Sequence, residues 1–260
     1  MIKLGCCIDS ADIEPAYETG YDFIDLSGAE LASMPRESVD KIAGTLKAYH
    51  LPCIGIHAAF PPEIALIGEK FSEASIEKYS DDLLAKAKKL DIRYLGIGSP
   101  YSRRLEDGYE RSKADDQMIR VLEIMSGKEP GIRILLESLN REETNYINTL
   151  EEAARIVDRT GNTNTGLVWD LYHFIRCGES LDEISRDILS KVKYLHIADP
   201  AGRRYPSESS DENLFRLMQN AIRTTDCEYI AIEALSNDIR TDARKGCHFL
   251  KSKINQIVRG

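Results

Sequence analysis

Short apolar runs and helical patterns alternate eight times along this 260-residue chain, and no single motif limits the fold as strongly. Runs rich in aliphatic and β-branched residues predict strands over Ile2–Cys7, Tyr21–Ser27, Leu51–His57, Ile92–Ser99, Ile132–Ser138, Thr165–Leu171, Val192–Ala198 and Glu228–Ala234. Between them, apolar residues at three- and four-residue spacing predict helices over Ile13–Thr19, Arg36–His50, Ser75–Leu90, Asp115–Met125, Thr149–Thr160, Leu181–Ser190, Asn213–Arg223 and Ala243–Ile257. Gly161 reads as a helix stop. Ser180, with Glu183 three positions later, reads as a capping box for Leu181–Ser190. Regular strand–helix alternation builds a parallel sheet with helices outside it. Eight such units in this length make an α/β chain of the (β/α)8 TIM barrel class, a single domain over residues 1–260. An open doubly wound sheet fits less well, because no G-x-G-x-x-G follows the first strand.

The net charge of −9 argues against a nucleic-acid surface, which normally carries a basic patch. No apolar run approaches the roughly 20 residues needed to span a bilayer, so no membrane association is expected. The first strand begins at once, with no leader pattern ahead of it. None of the six cysteines forms a C-x-x-C pair, so neither a zinc ribbon nor a disulfide framework is indicated. Cys6 and Cys53 read as buried thiols. A reducing, cytoplasmic setting is the expectation.

Four of the later runs end in a ligand-type side chain: Glu137 in RILLESLN, Asp170 in GLVWDLYH, His196 in VKYLHIAD and Glu233 in YIAIEALS. Barrel chemistry is expected at the C-terminal ends of the strands, where the βα loops meet. Three carboxylates and one imidazole make a hard donor set, which suits Mn²⁺, Mg²⁺ or Co²⁺ better than a thiolate site would, with Zn²⁺ a further candidate. Glu137 and Glu233 come from the fifth and eighth strands, which are not neighbours in an eight-membered ring. They can therefore face each other across the mouth and act as an acid/base pair on a carbon next to a carbonyl. Asp25, His57, Ser99, Asn140, His173 and Asp199 lie at or just beyond other strand ends. His57 is a further candidate substrate-binding group, His173 lies at a strand end like it, and Phe60 reads as a lining residue. Arg203 and Arg204 follow His196 in ADPAGRRYP, and either can hold an oxygen-rich substrate. Arg103 and Arg104 have weaker support. Trp169 points away from Asp170 by strand alternation and reads as core. Ala58–Ser72 and Asp199–Ser210 are the longest irregular stretches and the candidate active-site loops.

With these residues the chain resembles the xylose isomerase-like barrel superfamily, the sugar phosphate isomerase/epimerase group. The nearest branch resembles the ketose 3-epimerases of the tagatose/psicose type. The resemblance implies a one-metal site held by Glu137, Asp170, His196 and Glu233, with the two glutamates as catalytic acid and base. It implies that His173, three positions after Asp170, and an arginine at Arg204 or Arg203 hold substrate oxygens. A small-molecule sugar substrate and a homo-oligomer follow from the same resemblance. HIADPAGRRYP departs from the usual epimerase loop, which leaves the choice of arginine open. Three other readings share the skeleton: an inosose dehydratase-like lyase, a non-catalytic sugar-binding barrel and an endonuclease IV-like phosphodiesterase. The last normally needs more histidine ligands than the three well-placed ones here.

Overall fold

The computed structural model describes residues 2–236 and 238–259. Its strands are β1 (Lys3–Ile8), β2 (Phe23–Ser27), β3 (Cys53–His57), β4 (Tyr94–Ile97), β5 (Arg133–Glu137), β6 (Thr165–Asp170), β7 (Val192–Ile197) and β8 (Tyr229–Ile232). Each is a short apolar run, because it is covered on both faces. β6, for example, is buried along its whole length. All neighbours pair in parallel and in chain order, and β8 closes onto β1, giving a (β/α)8 TIM barrel.

The helices are α1 (Ile13–Thr19), α2 (Gly28–Ser33), α3 (Arg36–Tyr49), α4 (Glu73–Lys89), α5 (Arg111–Lys128), α6 (Leu150–Thr160), α7 (Leu171–Cys177), α8 (Arg186–Lys191), α9 (Glu212–Thr224) and α10 (Ile239–Arg259). Their apolar stripes cover the outward-facing strand residues. Ile76, Leu83, Leu84 and Ala87 of α4 are buried there, as are Trp169 and both Cys6 and Cys53. No described helix is long and apolar enough to cross a membrane.

Inside the barrel a second, smaller set packs: Phe23, Ile54, Leu135, Val168, Tyr194 and Tyr229, with Tyr94 against them. The rings of Phe23 and Tyr229 meet edge-to-face at 5.3 Å, and those of Tyr94 and Tyr194 lie 5.2 Å apart. These aromatics fill the lower barrel, so the interior is a packed core and only its C-terminal mouth is open to chemistry.

Three expectations change. The predicted helix Leu181–Ser190 splits into a 3-10 turn over Leu181–Glu183 and the short α8. Ile184 is extended between them (φ −91°, ψ 113°), and Ser185 supplies a new cap by accepting the Ile188 N–H. Ser180 accepts from Asp182 rather than Glu183, so no capping box forms. α2 and α7 were not anticipated. Each is short and starts directly at a strand end, capped by Ser27 or Asp170, where the strand pattern masks the first helical turn.

Candidate metal centre

Glu137 and Asp170 end β5 and β6, His196 is the last residue but one of β7, and Glu233 follows β8 directly. Closure of the ring brings one donor atom from each within 4.8 Å of the others. His196 Nδ1 lies 3.0 Å from Glu137 Oε1 and 3.3 Å from Glu233 Oε2. Room for Glu137 comes from Gly98, where a Cβ would stand 2.4 Å from Glu137 Oε2. Arg103 fixes the same strand end from behind. Fully buried, it donates from Nε to the Gly98 carbonyl and from Nη2 to the Glu137 carbonyl, at 2.6 and 2.7 Å.

Asp170 has two tasks. Its Oδ1 accepts the backbone N–H groups of Tyr172 and His173 and so caps α7. Its Oδ2 is buried without a hydrogen-bond partner. The cap starts α7 at once and places His173 on its first turn, which is the structural content of the Asp-x-x-His spacing. His173 Nδ1 accepts the Asn140 backbone N–H at 3.1 Å, so the ring carries its proton on Nε2. That Nε2 is buried and unpartnered, 3.6 Å from Asp170 Oδ2. Burial first, and Arg203 next, push the His173 pKa down to about 3, keeping it a neutral donor.

Arg203 points into the mouth. Its Nη2 lies 2.9 Å from Glu233 Oε2 and its Nη1 3.1 Å from Glu143 Oε1, with the guanidinium 5.2 Å above the Tyr172 ring. Arg204, by contrast, is exposed, and its Nε donates to the Ala201 carbonyl. The structure therefore brings Arg203, and not Arg204, to the cluster. The cause is local. Arg204 bridges Asp199 across the loop, while Gly202 (φ 88°) and Arg203 (φ 51°) turn through left-handed backbone, sending the two side chains apart. Arg203 shares this conformation with Ala58, Ser99 and Ile147, all in loops that follow strands. Such strain tends to gather at functional sites.

His57 joins Arg203 and Glu233 in lining a cavity of about 560 Å³ at the mouth, and its Nδ1 is buried without a partner. Phe60 instead packs at a tilt against Tyr79, ring centroids 5.0 Å apart, and does not line this cavity. A larger hollow of about 1030 Å³ opens at the other end of the barrel, among Leu46, Pro52, Lys89 and Ile132, but neither described cluster of ligating side chains reaches it. Glu143 escaped the sequence reading. It lies in the loop after β5 with no strand end to mark it, yet it accepts from Asn140 and pairs with Arg203.

The electrostatics fit a cation. Burial, then Glu137 and Glu233, push Asp170 up to about 8. Burial would raise Glu233 as well, but the Arg203 guanidinium and the His196 ring outweigh it and hold Glu233 well below the usual carboxylate range. Glu233 Oε2 has close positive neighbours but no hydrogen bond of good geometry. Three carboxylates converge on one imidazole with two oxygens unsatisfied, a hard donor set that could hold a divalent ion.

A closed parallel barrel with a carboxylate-rich cluster at its C-terminal mouth defines a TIM-barrel protein with its candidate site where the βα loops meet. Residues 13–253 match the family model of the xylose isomerase-like TIM barrel, and the chain belongs to that family. Among curated relatives, the inosose isomerase of Halalkalibacterium halodurans is 23% identical over 72% of this chain, and the match spans 66% of that protein, just under two thirds. The L-ribulose 3-epimerase of Mesorhizobium japonicum is 24% identical over 70% of this chain and 61% of its own length. The probable endonuclease 4 of Thermosipho melanesiensis is 29% identical over 70% of this chain and 68% of its own. Among solved structures, D-psicose 3-epimerase in the presence of D-fructose superposes with TM-score 0.80 at 16% identity, covering 97% of this chain and 99% of that one. The IolI protein with a bound zinc atom superposes with TM-score 0.71 at 19% identity, covering 99% and 98%.

Proposed function

We propose that this protein is a divalent-metal-dependent isomerase or epimerase of a ketose or related keto-polyol, working by proton transfer at a carbon next to a carbonyl. The observation that carries the reading is the convergence of Glu137, Asp170, His196 and Glu233 within 4.8 Å at the barrel mouth. The isomerase and epimerase relatives support it. These four residues would hold the cation, proposed as Mn²⁺, with the zinc-bearing neighbour keeping Zn²⁺ in view. When bound, the cation supplies positive charge against the negative charge that develops on the substrate oxygens as the proton leaves.

The chain's own groups do the rest. Glu233, held ionised by Arg203, removes the proton from one side of the substrate carbon. Glu137, reaching in from β5, returns a solvent-derived proton from the other side, and the proton on Glu233 is released to solvent. His173 donates its Nε2–H to a substrate oxygen. Arg203 and His57 line the entrance and hold further oxygens. Glu143 keeps Arg203 in place.

The test is solvent exchange. Mn²⁺-loaded protein is incubated in D2O with a panel of ketoses and keto-polyols, and substrate C–H positions are followed by NMR. Deuterium beside the carbonyl, lost in Glu233→Gln, is the expected result. A dehydrated product would make the protein a lyase on the same site. Absence of exchange across the panel, together with cleavage of abasic-site DNA, would move it to the endonuclease reading.

A further inference from the structure

A second polar group stands behind His196, on the ring edge that faces away from the carboxylate cluster. Asp25, on β2, is 1% exposed. Both of its carboxylate oxygens accept from the Tyr194 hydroxyl, at 2.8 and 2.7 Å, and the Cys7 thiol lies 4.0 Å from Oδ2. Gly55, its partner in register on β3, makes the space: a Cβ there would stand 2.6 Å from Asp25 Oδ1. Asp25 Oδ2 is 3.9 Å from His196 Nε2, and Cys7 Sγ is equally far from the same nitrogen. A buried carboxylate served only by a hydroxyl and a thiol is costly unless a positive or polarised N–H faces it. The His196 ring meets that need.

We propose that Asp25 is a positioning residue for the metal centre, which rests on the metal site proposed above. Facing Nε2, the carboxylate keeps the ring proton there, and the Nδ1 lone pair is left directed at Glu137, Glu233 and the cation between them. At 3.9 Å the link is electrostatic rather than a hydrogen bond. Tyr194 pins the carboxylate so that it cannot swing away. Cys7 only fills the remaining corner.

Co²⁺ titration of metal-free wild type, Asp25→Asn, Tyr194→Phe and Cys7→Ser, followed by visible absorption, tests this, with Mn²⁺ affinity read by competition. Asp25→Asn is expected to weaken both ions about 10- to 100-fold and to shift the cobalt bands, with an unchanged far-ultraviolet circular dichroism spectrum. Tyr194→Phe is expected to weaken them too, by less than Asp25→Asn, as for a residue acting through Asp25. Cys7→Ser leaves both readouts as they were. In the zinc-loaded wild type, ¹⁵N NMR is expected to show His196 protonated on Nε2. Wild-type affinity and bands in Asp25→Asn would overturn this inference alone, whereas no metal binding by the wild type would overturn the proposed function with it. A near-ultraviolet thiolate-to-cobalt band lost in Cys7→Ser would also overturn it, since Cys7, Asp25 and His196 would then ligate an ion of their own. If Asp25→Asn does not fold, unchanged affinity in Tyr194→Phe is decisive against it.

Discussion

Adjacent arginines with the same chemistry have different fates in this barrel. Arg203 turns in to Glu233 and Glu143, while Arg204 lies exposed on the loop. Arg203→Ala is expected to lower kcat/KM by roughly 10²- to 10³-fold, the cost of removing a donor aimed at developing charge. Arg204→Ala is expected to stay within about twofold, as for a surface change, and steady-state assays on the substrate found by exchange distinguish them. Glu179 shows burial acting away from the site. Its Oε2 accepts the Leu150 N–H at the start of α6, but its Oε1 is buried and unpartnered. Burial raises its pKa to about 7. A carboxyl whose folded pKa exceeds its unfolded value favours the fold at low pH, and that contribution is lost as pH climbs from about 4.5 through 7. Glu179→Gln keeps the acceptor and removes the charge. It should be more stable than wild type at pH 8, by on the order of 2 kcal/mol, with the gap closing near pH 4. Urea unfolding at the two pH values measures this.

At the scale of elements, α7 couples structure to chemistry. Its N-cap is Asp170, so one carboxylate both starts the helix and faces the cluster. Asparagine caps about as well as aspartate but offers no anionic oxygen. Asp170→Asn should therefore keep α7 capped and, because it removes a carboxyl that burial and the neighbouring glutamates push up to about 8, leave the metal-free protein at pH 8 at least as stable as wild type in urea unfolding. It should still lower metal affinity by at least about tenfold, read by the same cobalt titration. The two helices that were not anticipated and the one that broke share a physical cause. Each has only a turn or two, and in so short a span side-chain caps from Ser27, Asp170 and Ser185 outweigh periodicity. The long helices were legible because α4 and α6 repeat their buried positions over several turns.

At the scale of the molecule, the four side chains proposed to hold the ion come from four consecutive strand ends and meet only when the barrel closes. An ion held there binds the folded chain and not the unfolded one, so it must stabilise the whole fold. At 100 times Kd the gain is about 2.7 kcal/mol. For a chain of this size that corresponds to a Tm rise of roughly 5–10 °C, reversed by a chelator and absent in Glu137→Gln/Glu233→Gln. Thermal scans with and without Mn²⁺ check it.

The amino-acid sequence by itself determined the eightfold alternation, hence the barrel, and singled out Glu137, Asp170, His196 and Glu233, because strand period and strand ends are local properties of the chain. The pairings around those residues were decided only by tertiary structure. Arg203 meets a glutamate 60 residues away, and Tyr194 meets an aspartate 169 residues away. The inward turn of Arg203 rests on two left-handed residues in one loop. The proton position on His173 rests on a backbone N–H from the loop after β5. Such facts depend on dihedral angles and on neighbours distant in the chain, and no periodic pattern in the sequence encodes either.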